Sequence, residues 1–191
     1  MRGLEEALDS IREDLEFRHA YNIARQNGSR VYLVGGFLFR GLAHALYGTP
    51  KPEHDVDLLV EGLSRDLRLP PRWYRMTNRF GNPKIVSATT TADLIPLEKV
   101  LSIKARGLRP SLEAYLSGTP LTIQAMAYDV EHDELVGDVG LKALEERRVA
   151  VNNPFFASII ARMDGTTVNG YVAEKAASLD FLHVSYQPTH S

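Results

Sequence analysis

A chain of 191 residues, 44% hydrophobic and 24% charged, has the size and composition of one globular domain able to bury a core. Its net charge of −2 excludes a broad basic field for tracking along nucleic acid. The absence of cysteine excludes disulfides, thiolate catalysis and cysteine-ligated zinc, and the charged start Met1-Arg2-Gly3-Leu4-Glu5-Glu6 is no secretory signal, which points to the cytoplasm.

Leu4, Leu8, Ile11 and Leu15 recur at helical spacing between Glu and Arg, predicting one amphipathic helix over 3–26 that Asn27-Gly28 ends. Val31-Tyr32-Leu33-Val34 reads as a buried strand over 30–34, and 37–47 as a helix closing at Gly48-Thr49-Pro50. Arg40 and three internal glycines interrupt the longest apolar stretch, 31–48, so no membrane span is expected. A strand follows over 55–60, then a connector over 63–71 with a helical turn. Short strands over 73–76, 84–88 and 92–97 are separated by Gly81-Asn82-Pro83 and Thr89-Thr90-Thr91. The stretch 101–118 is mixed, with helix around 111–116. Residues 122–130 alternate as a strand, to which 134–136 pairs across Glu131-His132-Asp133. A short helix over 141–147 and, after Asn152-Asn153-Pro154, helices over 155–163 and 168–183 complete the chain. The order of elements predicts an α/β fold, a small mixed sheet of about five strands flanked by helices. A boundary near 150 separates residues 1–150 from a short helical extension, 151–191.

Chemistry concentrates in His54-Asp55-Val56-Asp57-Leu58-Leu59-Val60. On a strand, residues i and i+2 share a face, so Asp55 and Asp57 lie roughly 6.6 Å apart along it. Two carboxylates on a strand of Val and Leu are costly to bury unless a cation neutralises them. Paired hard oxygens suit Mg²⁺ bound together with substrate phosphates. Upstream, Gly35-Gly36 fits a tight turn into a helix whose N-terminal N–H groups hold an anion. A two-metal site needs a third acid. Asp93, in Thr91-Ala92-Asp93-Leu94-Ile95, is the candidate, one hairpin from the Asp-x-Asp strand, ahead of Asp129, Asp133 and Asp138 at strand ends and turns. Lys84, Lys99, Lys104, Arg106 and Arg109 are candidate contacts to triphosphate or RNA, and His54 a candidate neighbour of the metal site. Phe37, Phe39, Tyr47, Trp73 and Tyr74 read as core.

These residues resemble the DNA polymerase β-like nucleotidyltransferases, above all the head domain shared by bacterial poly(A) polymerases and tRNA CCA-adding enzymes. The stretch Val31 to Val60 is similar to that family's strand, Gly-Gly, helix, Asp-x-Asp module. Arg79 to Asp93 resembles its hairpin into the third carboxylate, and Leu121 to Asp129, with Glu134 to Asp138 and Leu144 to Arg147, its following strand and tail. The likeness covers roughly 28–150. It departs in two places: the family's Arg-Asp after Gly-Gly is Phe39-Arg40 here, and Gly118-Thr119-Pro120 stands where Arg-Arg-Asp is expected.

The resemblance implies transfer of a nucleoside monophosphate from an NTP to an acceptor hydroxyl, with an RNA 3′ end as acceptor. Asp55, Asp57 and Asp93 are implied ligands of two Mg²⁺ ions, with Mn²⁺ able to substitute, while Gly35, Gly36 and Arg40 face the triphosphate. Because the sequence ends where the family's neck and body begin, 151–191 reads as a vestigial neck, RNA is expected to bind weakly, and base discrimination to be loose. A small-molecule acceptor as in antibiotic-modifying enzymes, a toxin-like role, and an inactive nucleotide-binding protein are the alternatives.

Overall fold

The computed structural model describes residues 3–50 and 55–188. In chain order it contains α1 (Leu4–Glu13), α2 (Leu15–Asn27), β1 (Arg30–Val34), α3 (Gly35–Tyr47), β2 (Asp55–Glu61), β3 (Tyr74–Thr77), β4 (Pro83–Val86) and β5 (Thr91–Pro96). The second half adds α4 (Leu101–Ala105), α5 (Leu112–Leu116), β6 (Ala127–Asp129), β7 (Glu134–Val136), α6 (Asp138–Glu145), β8 (Arg148–Val149), α7 (Pro154–Met163), α8 (Val168–Ala177) and β9 (Leu182–His183).

The main sheet is α/β and mixed, as expected, but seven strands wide, in the order β3-β4-β5-β2-β1-β6-β7. Only β2 and β5 run parallel within it; every other neighbouring pair is antiparallel. Strand alternation divides its side chains between two faces. Val31, Leu33, Val56, Leu58, Ala92 and Leu94 join the large core beneath α1, α2, α3 and α8. Tyr32, Val34 and Leu59 point to the other face and pack with Ile103, Leu112 and Leu116 of α4 and α5. Asp55, Asp57 and Asp93 have the parity of this second face. The acids therefore emerge beside a smaller, incompletely covered core. No helix among the described residues is long and apolar enough to cross a membrane.

Four elements differ from the sequence expectation. The single helix over 3–26 is two, because Asp14 adopts an extended backbone and its carboxylate accepts hydrogen bonds from Glu16 N and Phe17 N, capping α2. Its Leu15, counted in the apolar stripe, is 65% exposed. No helical turn forms over 63–71: Asn27 bonds both the N–H and the carbonyl of Arg68 and holds that connector extended against the end of α2. The expected strand over 122–130 begins as a 3-10 turn at Thr122–Gln124, since Gln124 Oε1 accepts from Leu121 N and Thr122 Oγ1 from Ala150 N. The last helix stops at Ala177, and the chain reverses at Asp180 (φ 58°) so that β9 pairs in parallel with β8.

The C-terminal residues Ala161, Tyr171, Val172, Ala176, Leu179 and Phe181 belong to the same core cluster as Leu33 and Leu38. Asn152 ties this region back to the Gly118-Thr119-Pro120 turn, donating from Nδ2 to Leu116 O, Thr119 O and Thr119 Oγ1.

Candidate active site

The strand registers assemble the site. Within the parallel pair, Asp57 stands opposite Asp93 and Asp55 opposite Thr91. On its other edge β2 places Asp57 opposite Val34, the last residue before Gly35. On the far side of Asp93, the antiparallel register places Lys84. Adjacent strands are about 4.8 Å apart, so the two acids and the lysine form a row across the sheet.

The turn from β1 into α3 explains both glycines. Gly35 has φ +72°, and a Cβ there would lie 2.1 Å from Asp57 Oδ2, so only glycine lets the helix begin against the carboxylate. The Gly36 N–H donates to Asp57. A Cβ on Gly36 would meet nothing within 4 Å, because that position opens into a cavity.

The three acids differ sharply in environment. Asp55 is 72% exposed and receives Lys84 Nζ at 3.5 Å. Asp93 is 21% exposed; its Oδ2 accepts from Asn78 Nδ2 at 2.9 Å and its Oδ1 lies 3.9 Å from Lys84 Nζ. That Oδ1 is buried without a hydrogen bond. Asp57 is pushed up to about 7 by burial first, then by the charges of Asp93 and Asp55, against the opposing Gly36 N–H and Lys84. Burial, and then the charge of Asp57, also raises the neighbouring Tyr115 hydroxyl above its usual range.

These groups line one cavity of about 510 Å³. Asp55, Asp57, Asp93, Gly35, Gly36 and Arg40, the residues singled out from sequence, all border it. Among the described residues no cluster of three acidic or imidazole side chains stands ready to hold a metal ion; Lys84 reaches between Asp55 and Asp93 instead. The donor chemistry nevertheless suits a hard divalent cation: oxygens only, an unfilled acceptor on Asp93, and a crowded Asp57 that a cation would relieve. His54 lies outside the described residues.

Several cavity residues were not singled out as site candidates from the sequence. Asn78, Arg79 and Phe80 come from the β3–β4 turn, Tyr115 from α5, and Gln124 from the 3-10 turn. Asp164 follows α7, and Tyr171 and Lys175 come from α8. Arg79 Nη1 meets Asp164 Oδ1 at 2.7 Å, joining the β3–β4 turn to the C-terminal region. A signal for Lys175 was present: with Tyr171, Val172 and Ala176 it falls on the inward stripe of α8, where lysine is unexpected.

The other basic candidates divide. Arg106 is committed to structure, bonding Ser102 O, Ala114 O and Ser117 Oγ between α4 and α5. Lys99 borders a separate, mainly apolar groove, and Lys104 and Arg109 are exposed. Of the aromatics expected in the core, Phe37 and Phe39 are buried, whereas Tyr74 is 67% exposed on the edge strand β3.

No protein-family model matches the chain, and no curated protein matches it in sequence. Solved structures match its fold. The Bacillus stearothermophilus CCA-adding enzyme in complex with CTP aligns over 90% of this chain at 22% identity and a TM-score of 0.62, using 41% of that protein. A CCA-adding enzyme with ATP aligns over 96% of this chain at 18% identity and a TM-score of 0.61, using 42% of its length. A tRNA nucleotidyltransferase complexed with a primer tRNA and an incoming ATP analog aligns over 81% of this chain at 20% identity, TM-score 0.53, using 43% of that chain. The chain thus shares its α/β fold with part of these structures and spans about two fifths of their length.

Proposed function

We propose that this chain is a metal-dependent nucleotidyltransferase that moves a nucleoside monophosphate from an NTP to an acceptor hydroxyl, with an RNA 3′ end as acceptor. One observation carries the reading: Asp57 and Asp93 stand side by side in register beneath the glycine turn that opens α3. Nothing in the stability of the fold calls for two adjacent acids there. Burial first, and then the charge of Asp93, raises Asp57 and makes the site a sink for positive charge.

Asp55, Asp57 and Asp93 would hold Mg²⁺ ions, which supply neutralisation of triphosphate charge and a lowered pKa for the attacking hydroxyl. The protein itself contributes position. Gly36 leaves room for phosphates against the start of α3, where backbone N–H groups favour an anion. Asn78 fixes the Asp93 carboxylate by a hydrogen bond. Lys84 balances the acids in the absence of metal, and must withdraw from between Asp55 and Asp93 when cations enter. The C-terminal residues Asp164, Tyr171 and Lys175 border the same cavity, so residues 151–191 serve as a short neck that helps close the donor site.

The test is incubation with each labelled NTP, Mg²⁺ or Mn²⁺, and total RNA. Label should enter the RNA fraction with wild type and not with Asp57→Asn. Label confined to small molecules would replace RNA by a small acceptor. Absence of transfer with all four NTPs would overturn the enzymatic reading in favour of nucleotide binding without turnover.

A further inference from the structure

The cavity wall away from the acids carries an arrangement with the opposite sign. Arg40 on α3 and Lys175 on α8 both border the cavity, and neither has an ion-pair partner among the described residues. Arg40 Nε is buried with no hydrogen bond. Lys175 is half-buried and packs over the Phe39 ring, with Nζ 5.9 Å from its centroid. Burial, and then repulsion from Arg40, lowers the affinity of Lys175 for its proton. Two like charges held together and partly desolvated are unfavourable for the same reason as the acids opposite, and Glu174, Asp164 and Asp57 offset this for Lys175 only from beyond salt-bridge distance. Asp55, Asp57 and Asp93 thus share one cavity with two cations that make no salt bridge among the described residues. A ligand able to satisfy both must itself be a polyanion, binding the cations directly while sharing metal ions with the acids.

We infer that Lys175, with Arg40, is the seat for the terminal phosphates of the nucleotide donor, and that α8 is thereby part of the donor site. The inference rests on the nucleotidyltransferase reading for the identity of the polyanion. The geometry also accounts for Arg40 standing one residue beyond the place where the related heads carry arginine: a residue of helix turns a side chain by about 100°, which leaves a gap that a cation from a second helix can fill. The Phe39 ring lies beneath the Lys175 ammonium at the edge of the cavity and helps to place it there.

Binding of inorganic pyrophosphate, of ATP carrying a non-hydrolysable α,β linkage, and of AMP, each with Mg²⁺, tests this by calorimetry on the full chain. Lys175→Met keeps an unbranched side chain of similar length and removes the charge; Lys175→Arg keeps the charge; Lys142→Met, on the exposed face of α6, is a control. We expect Lys175→Met to weaken pyrophosphate and the ATP analogue by about 10-fold or more, as for loss of a charge-assisted contact. AMP should be affected little, Lys175→Arg should retain most of the binding, and the control should match wild type. Circular dichroism melting should show Lys175→Met folded and no less stable. Unchanged pyrophosphate affinity in Lys175→Met, equal losses for AMP and pyrophosphate, or no pyrophosphate binding by wild type would each overturn the inference. Lysine-dependent pyrophosphate binding without nucleotidyl transfer would sustain it and refute the enzymatic reading. Transfer with lysine-independent pyrophosphate binding would do the reverse.

Discussion

Replacing Asp57 by asparagine should abolish transfer yet stabilise the metal-free protein. Asp57 is raised from an ordinary 3.8 to about 7 by burial and by its two acidic neighbours. A carboxyl whose folded-state value exceeds its unfolded one holds its proton longer in the folded protein. Stability is then greatest below the unfolded value and is lost as pH climbs through the folded value. The window runs from about pH 4 to about pH 7, and at about 1.4 kcal/mol per pH unit the loss totals about 4 kcal/mol. Asparagine has the shape of the protonated acid and can still accept from Gly36 N–H, so it escapes this loss. Urea unfolding in a metal chelator should show Asp57→Asn more stable than wild type by about 2–4 kcal/mol above pH 7, the gap closing as pH falls toward about 4. Added Mg²⁺ should stabilise wild type and not the variant, and transfer should fall by about 10³-fold or more. A stability gap independent of pH, or a variant less stable than wild type at about pH 8, would refute the charge-crowding argument.

Gly35→Ala should destabilise by about 1–3 kcal/mol and remove activity, since its Cβ would be driven into Asp57 at a left-handed φ; thermal melts and transfer assays check both. Asn78→Ala should loosen the β3–β4 turn, whose Phe80 and Asn82 N–H groups its Oδ1 accepts, and weaken the Mg²⁺ dependence of transfer by about 10-fold, because Asp93 loses the side chain that orients it; melts and Mg²⁺ titrations check both. Asn152→Ala should cost about 1–2 kcal/mol in urea unfolding, by removing the amide donor to Thr119 O, while Leu116 O keeps Thr119 N and Oγ1 as donors.

The local module was legible in sequence because local rules govern it. Hydrophobic runs marked β1 and β2, glycine marked a turn that tolerates no side chain, and strand parity put Asp55 and Asp57 on one face. The break at Asp14 was also written locally, yet the leucine periodicity outweighed a cap whose strength depends on the bonds its side chain makes. Similarly, Leu121 to Asp129 alternates like a strand, but Leu121 N donating to Gln124 Oε1 and the distant Ala150 N donating to Thr122 Oγ1 turn its first half into a 3-10 turn.

Sequence could nominate Asp93 but not place it, because the β2–β5 register that puts it opposite Asp57 depends on how two separated strands pack. The same limit applies more strongly to Arg40 and Lys175, which lie 135 positions apart (175 − 40) and meet only because α3 and α8 bury their apolar stripes in one core. By itself, then, the sequence determined the strand that carries Asp55 and Asp57 on one face and the glycine turn before α3, both set by neighbours along the chain. The tertiary structure alone decided which cations face those acids, because that follows from packing across the fold, which leaves no local pattern to read.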